Sequence, residues 1–447
     1  MRFLPPLLIL LTASCVRAQQ ELSLDEAIQL GLANNFDIRL ARADLDVARN
    51  NDDYALTGKP PVISLGLSPG VSYRNTSNPA SIVASSSILT YNVSPTSNLN
   101  WTLFNGGRVE ISKERLGQLA ELSEAQLQLQ VENSIAGIVA AYYGAVVQQE
   151  QLGVLERVLG LSRDRIEYQR VRAEFGQAGL FNELQARDAY LSDSTNLVLQ
   201  RANYRVALTN LLQRMGAEDL GPAIELTTPL RIDETPPDPA ALEQELLAAN
   251  PQLRVLRLNE TLAATNTRLI ETEYKPLVGL NLGGSYDISV ATGTQTFDFG
   301  GDQPSREQEL PGVAARTLAG QLGLSASYVL FDGGNRDVRT QTARLQEITS
   351  RLETDAATQQ LRTALQNALT QYRNQVEVVA ITERLIENAE RNIAIAEERF
   401  RGGTINSFDY RAIQLSLVNA EFQLLNARLA VKNTETEIAR LTGGVVD

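Results

Sequence analysis

Two hydrophobic periodicities alternate along this chain, and each occurs twice. Apolar or small residues at spacings of three and four run through Ile135, Ile138, Tyr142, Ala145, Leu152, Leu155, Leu159, Ser162 and Ile166, inside a proline-free stretch from Gly107 to Glu174. That is one face of a continuous helix near coiled-coil period, on the order of 100 Å long at ~1.5 Å per residue. A second proline-free stretch runs from Asn335 to Phe400. Each is followed by a short Gly-containing turn and a shorter helical pattern, residues 182–215 and 406–441, which has to fold back antiparallel.

Ahead of each long helix the period changes to two. Ile63, Leu65, Leu67, Val71 and Tyr73 alternate with Ser64, Gly66, Ser68, Gly70, Ser72 and Arg74, and Leu99, Trp101 and Leu103 with Asn98, Asn100 and Thr102. Downstream, Val278, Leu280, Leu282, Tyr286, Ile288 and Val290 alternate with Gly279, Asn281, Gly283, Ser285, Asp287 and Ser289. Leu318, Leu322, Leu324, Tyr328 and Leu330 do so with Ala319, Gln321, Gly323, Ser325 and Ser327. These read as strands of about ten residues with one apolar face and one small, polar face. An antiparallel sheet resting on a core alternates in the same way, but a second face that is almost uniformly small and uncharged suits the wall of a lumen.

The recurrence is a duplication. Ala33-Asn34-Asn35-Phe36 is echoed by Ala248-Ala249-Asn250-Pro251, and Lys59-Pro60 by Lys275-Pro276. Leu103-Phe104-Asn105-Gly106-Gly107 is echoed by Leu330-Phe331-Asp332-Gly333-Gly334, and Gly179 with Asn182 by Gly403 with Asn406. The offsets are 215, 216, 227 and 224. The first copy covers residues 19–216 and the second 240–447, each in the order helix, two strands, long helix, shorter helix. Residues 217–239 carry Pro222, Pro229, Pro236, Pro237 and Pro239 and form the connector. Ser23-Leu24-Asp25-Glu26 is a capping box that starts the first helix, and Lys59-Pro60-Pro61 ends it. Asn105-Gly106-Gly107 and Asp332-Gly333-Gly334 fit tight strand-to-helix turns. A phosphate loop would need a Lys-Ser/Thr ending that neither has.

Paired within each copy, the strands give hairpins over residues 62–104 and 277–331, joined by polar segments 75–95 and 291–316 that read as long outer loops. A bilayer tolerates no open sheet edge, and four strands are too few to close, so a membrane position forces oligomerisation. Two copies give eight strands with a filled interior, and three give twelve with room for a passage. A coiled-coil rod in the periplasm without a passage is the competing reading. An adaptor of an export system would instead need a lipoyl-like β-domain.

Arg2, the apolar stretch from Leu4 to Leu11 and Val16-Arg17-Ala18 make residues 1–18 a secretory signal. Cleavage there would leave the mature chain without cysteine. A second reading takes Thr12-Ala13-Ser14-Cys15 as a lipobox with Cys15 lipidated. The sequence holds no histidine, which excludes His-based general bases, catalytic triads and His-ligated metals. No cofactor site and no enzymatic constellation is legible. Removing Arg2 and Arg17 leaves 38 basic against 53 acidic residues, a net charge of −15, so nucleic acid is excluded as a partner.

With Trp101-Thr102-Leu103-Phe104-Asn105-Gly106-Gly107-Arg108, Tyr328-Val329-Leu330-Phe331-Asp332-Gly333-Gly334 and Phe400-Arg401-Gly402-Gly403-Thr404-Ile405-Asn406-Ser407-Phe408-Asp409 in order, the chain resembles the TolC-like outer-membrane efflux proteins. The resemblance covers the whole mature sequence. It implies a mixed, mainly α fold. Duplicated helical hairpins would form a trimeric periplasmic α-barrel, and four strands per protomer would complete a twelve-stranded transmembrane β-barrel, with residues 217–239 in an equatorial belt. It implies a homotrimer in outer-membrane lipid, a periplasmic adaptor protein and an inner-membrane pump as partners, and a passive duct for efflux or type I secretion. The tips Gly179, Leu180, Phe181, Asn182 and Gly403, Thr404, Ile405, Asn406 would be the adaptor-docking end. Asp409 matches an inward carboxylate of the periplasmic entrance and equally suits a helix-start charge. Ala412 stands where the family has a second aspartate, and Ile405 where it has a bracing arginine.

Overall fold

The computed structural model describes residues 20–176, 179–217, 224–232, 238–301 and 303–444. The expected signal 1–18, Cys15, and residues 218–223 and 233–237 of the connector lie outside them. In chain order the elements of the first copy are β1 (Gln20–Leu22), α1 (Leu24–Asn34), α2 (Phe36–Asn51), β2 (Val62–Ser77), β3 (Val83–Phe104), α3 (Arg108–Glu174) and α4 (Leu180–Met215). There follow β4 (Ile224–Leu226), α5 (Pro239–Ala249), α6 (Pro251–Glu271), β5 (Leu277–Phe297), β6 (Arg306–Ser327), α7 (Asn335–Arg401) and α8 (Ser407–Thr442).

The chain forms two compact units. One takes residues up to Asp46, Ser123–Arg257 and from Glu353 onward, and the other Val47–Leu122 with Leu258–Leu352. The first unit is helical. Ser23 caps α1 in the expected capping box, with Glu26 hydrogen-bonded back to the Ser23 backbone N–H. The expected single first helix is instead broken at Asn35. Its side-chain oxygen caps the N–H groups of Asp37 and Ile38, while Nδ2 donates to the carbonyl of Arg214 at 2.7 Å. The second copy repeats this at Asn250, which caps Leu253 and donates to Leu441 at 2.8 Å. Each asparagine thus satisfies a helix start and pins it to the end of a returning helix. A two-stranded parallel ladder, β1 on β4, was not announced by the pattern. It is held by Tyr142, whose hydroxyl donates to the Leu22 carbonyl and accepts from Thr228 N–H, in a core with Ile138, Leu211 and Met215.

The long helices α3 and α7 each span 67 residues, and α4 and α8 each span 36. In the helical unit, α3 and α8 each touch the other three. Val154, Leu155 and Val158 of α3 pack with Leu197 of α4 and Val418 of α8. Leu361, Leu365 and Tyr372 of α7 pack with Val431 and Ile438 of α8, and Tyr168 of α3 meets Phe400 of α7.

The second unit holds an antiparallel sheet in the order β2-β3-β5-β6. Its strands are longer than ten residues, and the expected loops 75–95 and 291–316 are corrected accordingly. Residues 83–95 belong to β3, residues 291–297 to β5 and residues 306–316 to β6, so the connections shrink to 78–82 and 298–305. Leu89, Tyr91 and Val93 of β3 do alternate with Thr90, Asn92 and Ser94, but Ser85-Ser86-Ser87, the Thr292, Thr294 and Thr296 stretch of β5 and Arg306-Glu307-Gln308-Glu309 of β6 carry no apolar face, and there only backbone pairing reveals the ladder.

Candidate functional site: sheet faces and hairpin tips

Cross-strand register decides which residues share a face. Ile63 pairs with Leu99, Leu99 with Leu282, and Leu282 with Leu322, so one apolar row crosses all four strands. Trp101, Leu280 and Leu324 form the next row on the same face. On the other face Ser64, Asn98, Gly283 and Gln321 are successive neighbours. The apolar face is bare in the single chain, with Leu65 83% and Leu318 82% exposed. A continuous patch of this kind has to be covered by lipid or protein. Arg316, opposite Ile288, stands on that face toward the end of the sheet remote from the strand-to-helix turns. Beyond it Gly312, at φ 81°, makes a bulge that reverses the alternation of β6. Glu309, opposite Thr294, thereby joins the same face as the apolar row, beyond its end. β2 and β6 each keep one unpaired edge within the four-stranded sheet.

The strand-to-helix turns match between copies. Gly106 and Gly107 have φ of 73° and 87°, and Gly333 and Gly334 have 72° and 86°. A Cβ at Gly106 would come within 2.9 Å of the Thr272 carbonyl, so both handedness and space require glycine there. Asn105 caps Val109. Asp332 accepts from the backbone N–H of Gly334 and Arg336 and from Arg336 Nε. Desolvation works to raise the Asp332 carboxyl, but the hydrogen bonds and charge of Arg336, with the Gly334 N–H, prevail and hold it below the usual carboxylate range.

At the tips the structure redraws the repeat. Gly403 has φ 74° and ends α7, with its N–H on the Phe400 carbonyl and Thr404 N–H on Arg399. Its counterpart is Gly176, at φ 70°, rather than Gly179, which has an extended φ of −86° and caps α4. Gly176 to Gly403 and Gly179 to Asn406 are both offset by 227, the offset of the Leu103 and Leu330 motifs. Gly179 is therefore no turn glycine, and the sequence match at 224 was a register slip of three residues. Asn406 accepts from the N–H groups of Phe408 and Asp409, each at 2.9 Å. Asp409 lies exposed in the first turn of α8, and Ile405 packs on Phe400 and Tyr410. Asn182 occupies the position equivalent to Asp409 in the other hairpin. Leu180, Phe181 and Phe408 are exposed apolar residues at these turns.

Sequence reasoning missed a buried polar layer near the tips. Asp193 of α4, 2% exposed, accepts from Ser162 of α3 and pairs with Arg411 of α8. Arg165 of α3 donates to the Ser407 side chain and carbonyl, and its guanidinium lies over the Phe400 ring. Burial, then the neighbouring Arg411, lowers the Arg165 pKa. The only sequence signal was polar residues at positions where the helical period demands apolar ones. Among the described residues no group of acidic side chains is placed to hold a metal, and no helix is long and apolar enough to cross a membrane.

A sheet with one bare apolar face and one polar face, continued into duplicated helical hairpins, defines a channel-type outer-membrane protein. The model of the outer membrane efflux proteins matches residues 27–217 and 242–444, and the chain belongs to that family. It is 22% identical over 441 residues to the outer membrane efflux protein BepC of Brucella suis, covering 95% of this chain and 88% of BepC. Its fold is similar to that of the CmeC outer membrane channel of Campylobacter jejuni, with a TM-score of 0.74 at 15% identity over 94% of this chain and 85% of CmeC. It is also similar to the MtrE outer membrane channel of Neisseria gonorrhoeae, with a TM-score of 0.69 at 18% identity over 95% of this chain and 89% of MtrE. The protein is thus an outer-membrane efflux channel, and its family is one of channels.

Proposed function

We propose that three copies form a passive duct from periplasm to exterior, in which the sheets close as a twelve-stranded barrel and the hairpins form a periplasmic α-barrel. The observation that carries this reading is the sheet itself, with an apolar row on one face, a polar row on the other and two unpaired edges. In lipid such edges have to find partners, and only another copy offers the matching one. A periplasmic rod would have no use for a face on which Leu65 and Leu318 stand bare.

Energy would come from an inner-membrane pump reached through a periplasmic adaptor, for which the exposed Leu180, Phe181 and Phe408 offer an apolar seat at the tips. Asp409, repeated three times, would line the entrance. Residues 1–18 would direct export and be removed with Cys15, leaving Gln19 first and no lipid, and residues 217–239 would link the two repeats of each chain in the equatorial region. The test is fractionation followed by electrophoresis with and without heating, then planar-bilayer recording. A heat-modifiable outer-membrane trimer with stable conductance is expected. A soluble periplasmic monomer would eliminate the duct.

A further inference from the structure

We infer that α4 of one copy and α7 of the next form an antiparallel heptad seam in one register, with Val198 opposite Ile381. This inference rests on the trimeric reading and names the surface that joins the copies. In the helical unit α3 and α8 are central, each touching the other three helices, which leaves α4 and α7 on the flanks. Each flank carries apolar residues that the single chain leaves in the open. On α4 these are Leu184, Leu191, Val198 and Val206, and on α7 Val378, Ile381, Leu385 and Ile395.

Their spacing fits them to one another. The α7 positions 378, 381, 385, 388, 392 and 395 step by three and four, the alternation of coiled-coil core positions. So do positions 184, 188, 191, 195, 198 and 202 of α4, as Leu, Asp, Leu, Thr, Val and Ala. α4 leads away from the tip and α7 leads toward it, so copies related by a rotation axis bring the two together antiparallel. Laid antiparallel with Leu184 at Ile395, the stripes put Leu191 at Asn388, Thr195 at Leu385, Val198 at Ile381 and Ala202 at Val378. No core position falls out of step over this length. The tips impose the same level independently, because α4 starts at Leu180 and α7 ends at Arg401. The lone acid of the α4 stripe, Asp188, falls opposite Asn392 and beside Arg391, whose guanidinium also pairs with Glu387 on its own helix, so the acid meets a polar flank of the seam.

The experiment is disulfide trapping in the full-length outer-membrane protein. Val198→Cys with Ile381→Cys in one chain should give a covalent trimer on mild oxidation. The two single variants, co-expressed, should give only a covalent dimer. The out-of-step pair Val198→Cys with Ile395→Cys should give neither. An unheated trimer that forms normally but traps none of the in-register pairs overturns the seam and leaves the trimeric duct standing. Equal trapping by both pairs overturns the register, and a protein that is monomeric before oxidation overturns seam and duct together.

Discussion

Leu282→Arg is the most direct perturbation of the proposed membrane face. Leu282 lies between Leu99 and Leu322 on the apolar row, while its chain neighbour Asn281 points to the opposite face between Asn100 and Gly323. An arginine at mid-bilayer on a barrel's lipid side costs about 2–4 kcal/mol. With the threefold repetition of a trimer, the total is about 6–12 kcal/mol, comparable to the whole stability of an ordinary domain. Leu282→Arg should therefore abolish the heat-modifiable trimer in outer-membrane fractions. Asn281→Arg places the same guanidinium against the polar face, so its trimer should persist with reduced single-channel conductance. The comparison holds strand, side chain and depth nearly constant and changes only the face. Equal assembly of the two variants would refute the assignment of lipid and lumen sides.

Three further predictions follow from the tips. Asp193→Ala leaves Arg411 without its carboxylate in a buried layer, at a cost of about 3–5 kcal/mol, and should lower the temperature at which trimers dissociate on gels; an unchanged temperature would show that the layer is not coupled to assembly. Gly403→Ala forces a Cβ into φ 74° and should cost about 1–2 kcal/mol, whereas Gly179→Ala, at φ −86°, should be within about 0.5 kcal/mol of neutral in the same measurement. Asp409→Ala should weaken block by divalent cations applied from the periplasmic side of a planar bilayer, and an unaltered block would remove Asp409 from the entrance.

What was legible in the sequence follows from how much of each element is periodic. The long helices, 108–174 and 335–401, were read almost to their ends because each stretch is free of proline between its flanking glycine turns, with a period of three and four visible from Ile135 to Ile166 in the first. The paired faces were read correctly around Leu65 and Leu282, where one side is apolar. They were lost over residues 83–95, 291–297 and 306–316, where runs such as Ser85-Ser86-Ser87 and Arg306-Glu307-Gln308-Glu309 are polar on both sides and the short alternation of Leu89, Tyr91 and Val93 sits inside a polar segment. The break at Asn35 escaped because a capping asparagine leaves the surrounding helical pattern intact. Gly179 was mistaken for a turn glycine because residue identity says nothing of φ, and Gly176 stood three positions away. The layer around Asp193 was invisible for another reason. Its members, Ser162, Arg165, Asp193 and Arg411, come from three helices and converge only after those helices have packed.

The equal lengths of the two hairpins have a consequence for stoichiometry. Because α3 matches α7 and α4 matches α8 residue for residue in length, a threefold assembly would end in six tips at one level. Six seats would thus approximate a hexagonal crown while alternating in chemistry, Gly179-Leu180-Phe181-Asn182 next to Asn406-Ser407-Phe408-Asp409. A partner that reads the shared shape and the phenylalanine could occupy all six, whereas one that reads the aspartate would find three. Were an adaptor to dock there, its ratio to the channel would in this sense be set by whether it distinguishes the two turns, which share a phenylalanine and differ at the residue beside it.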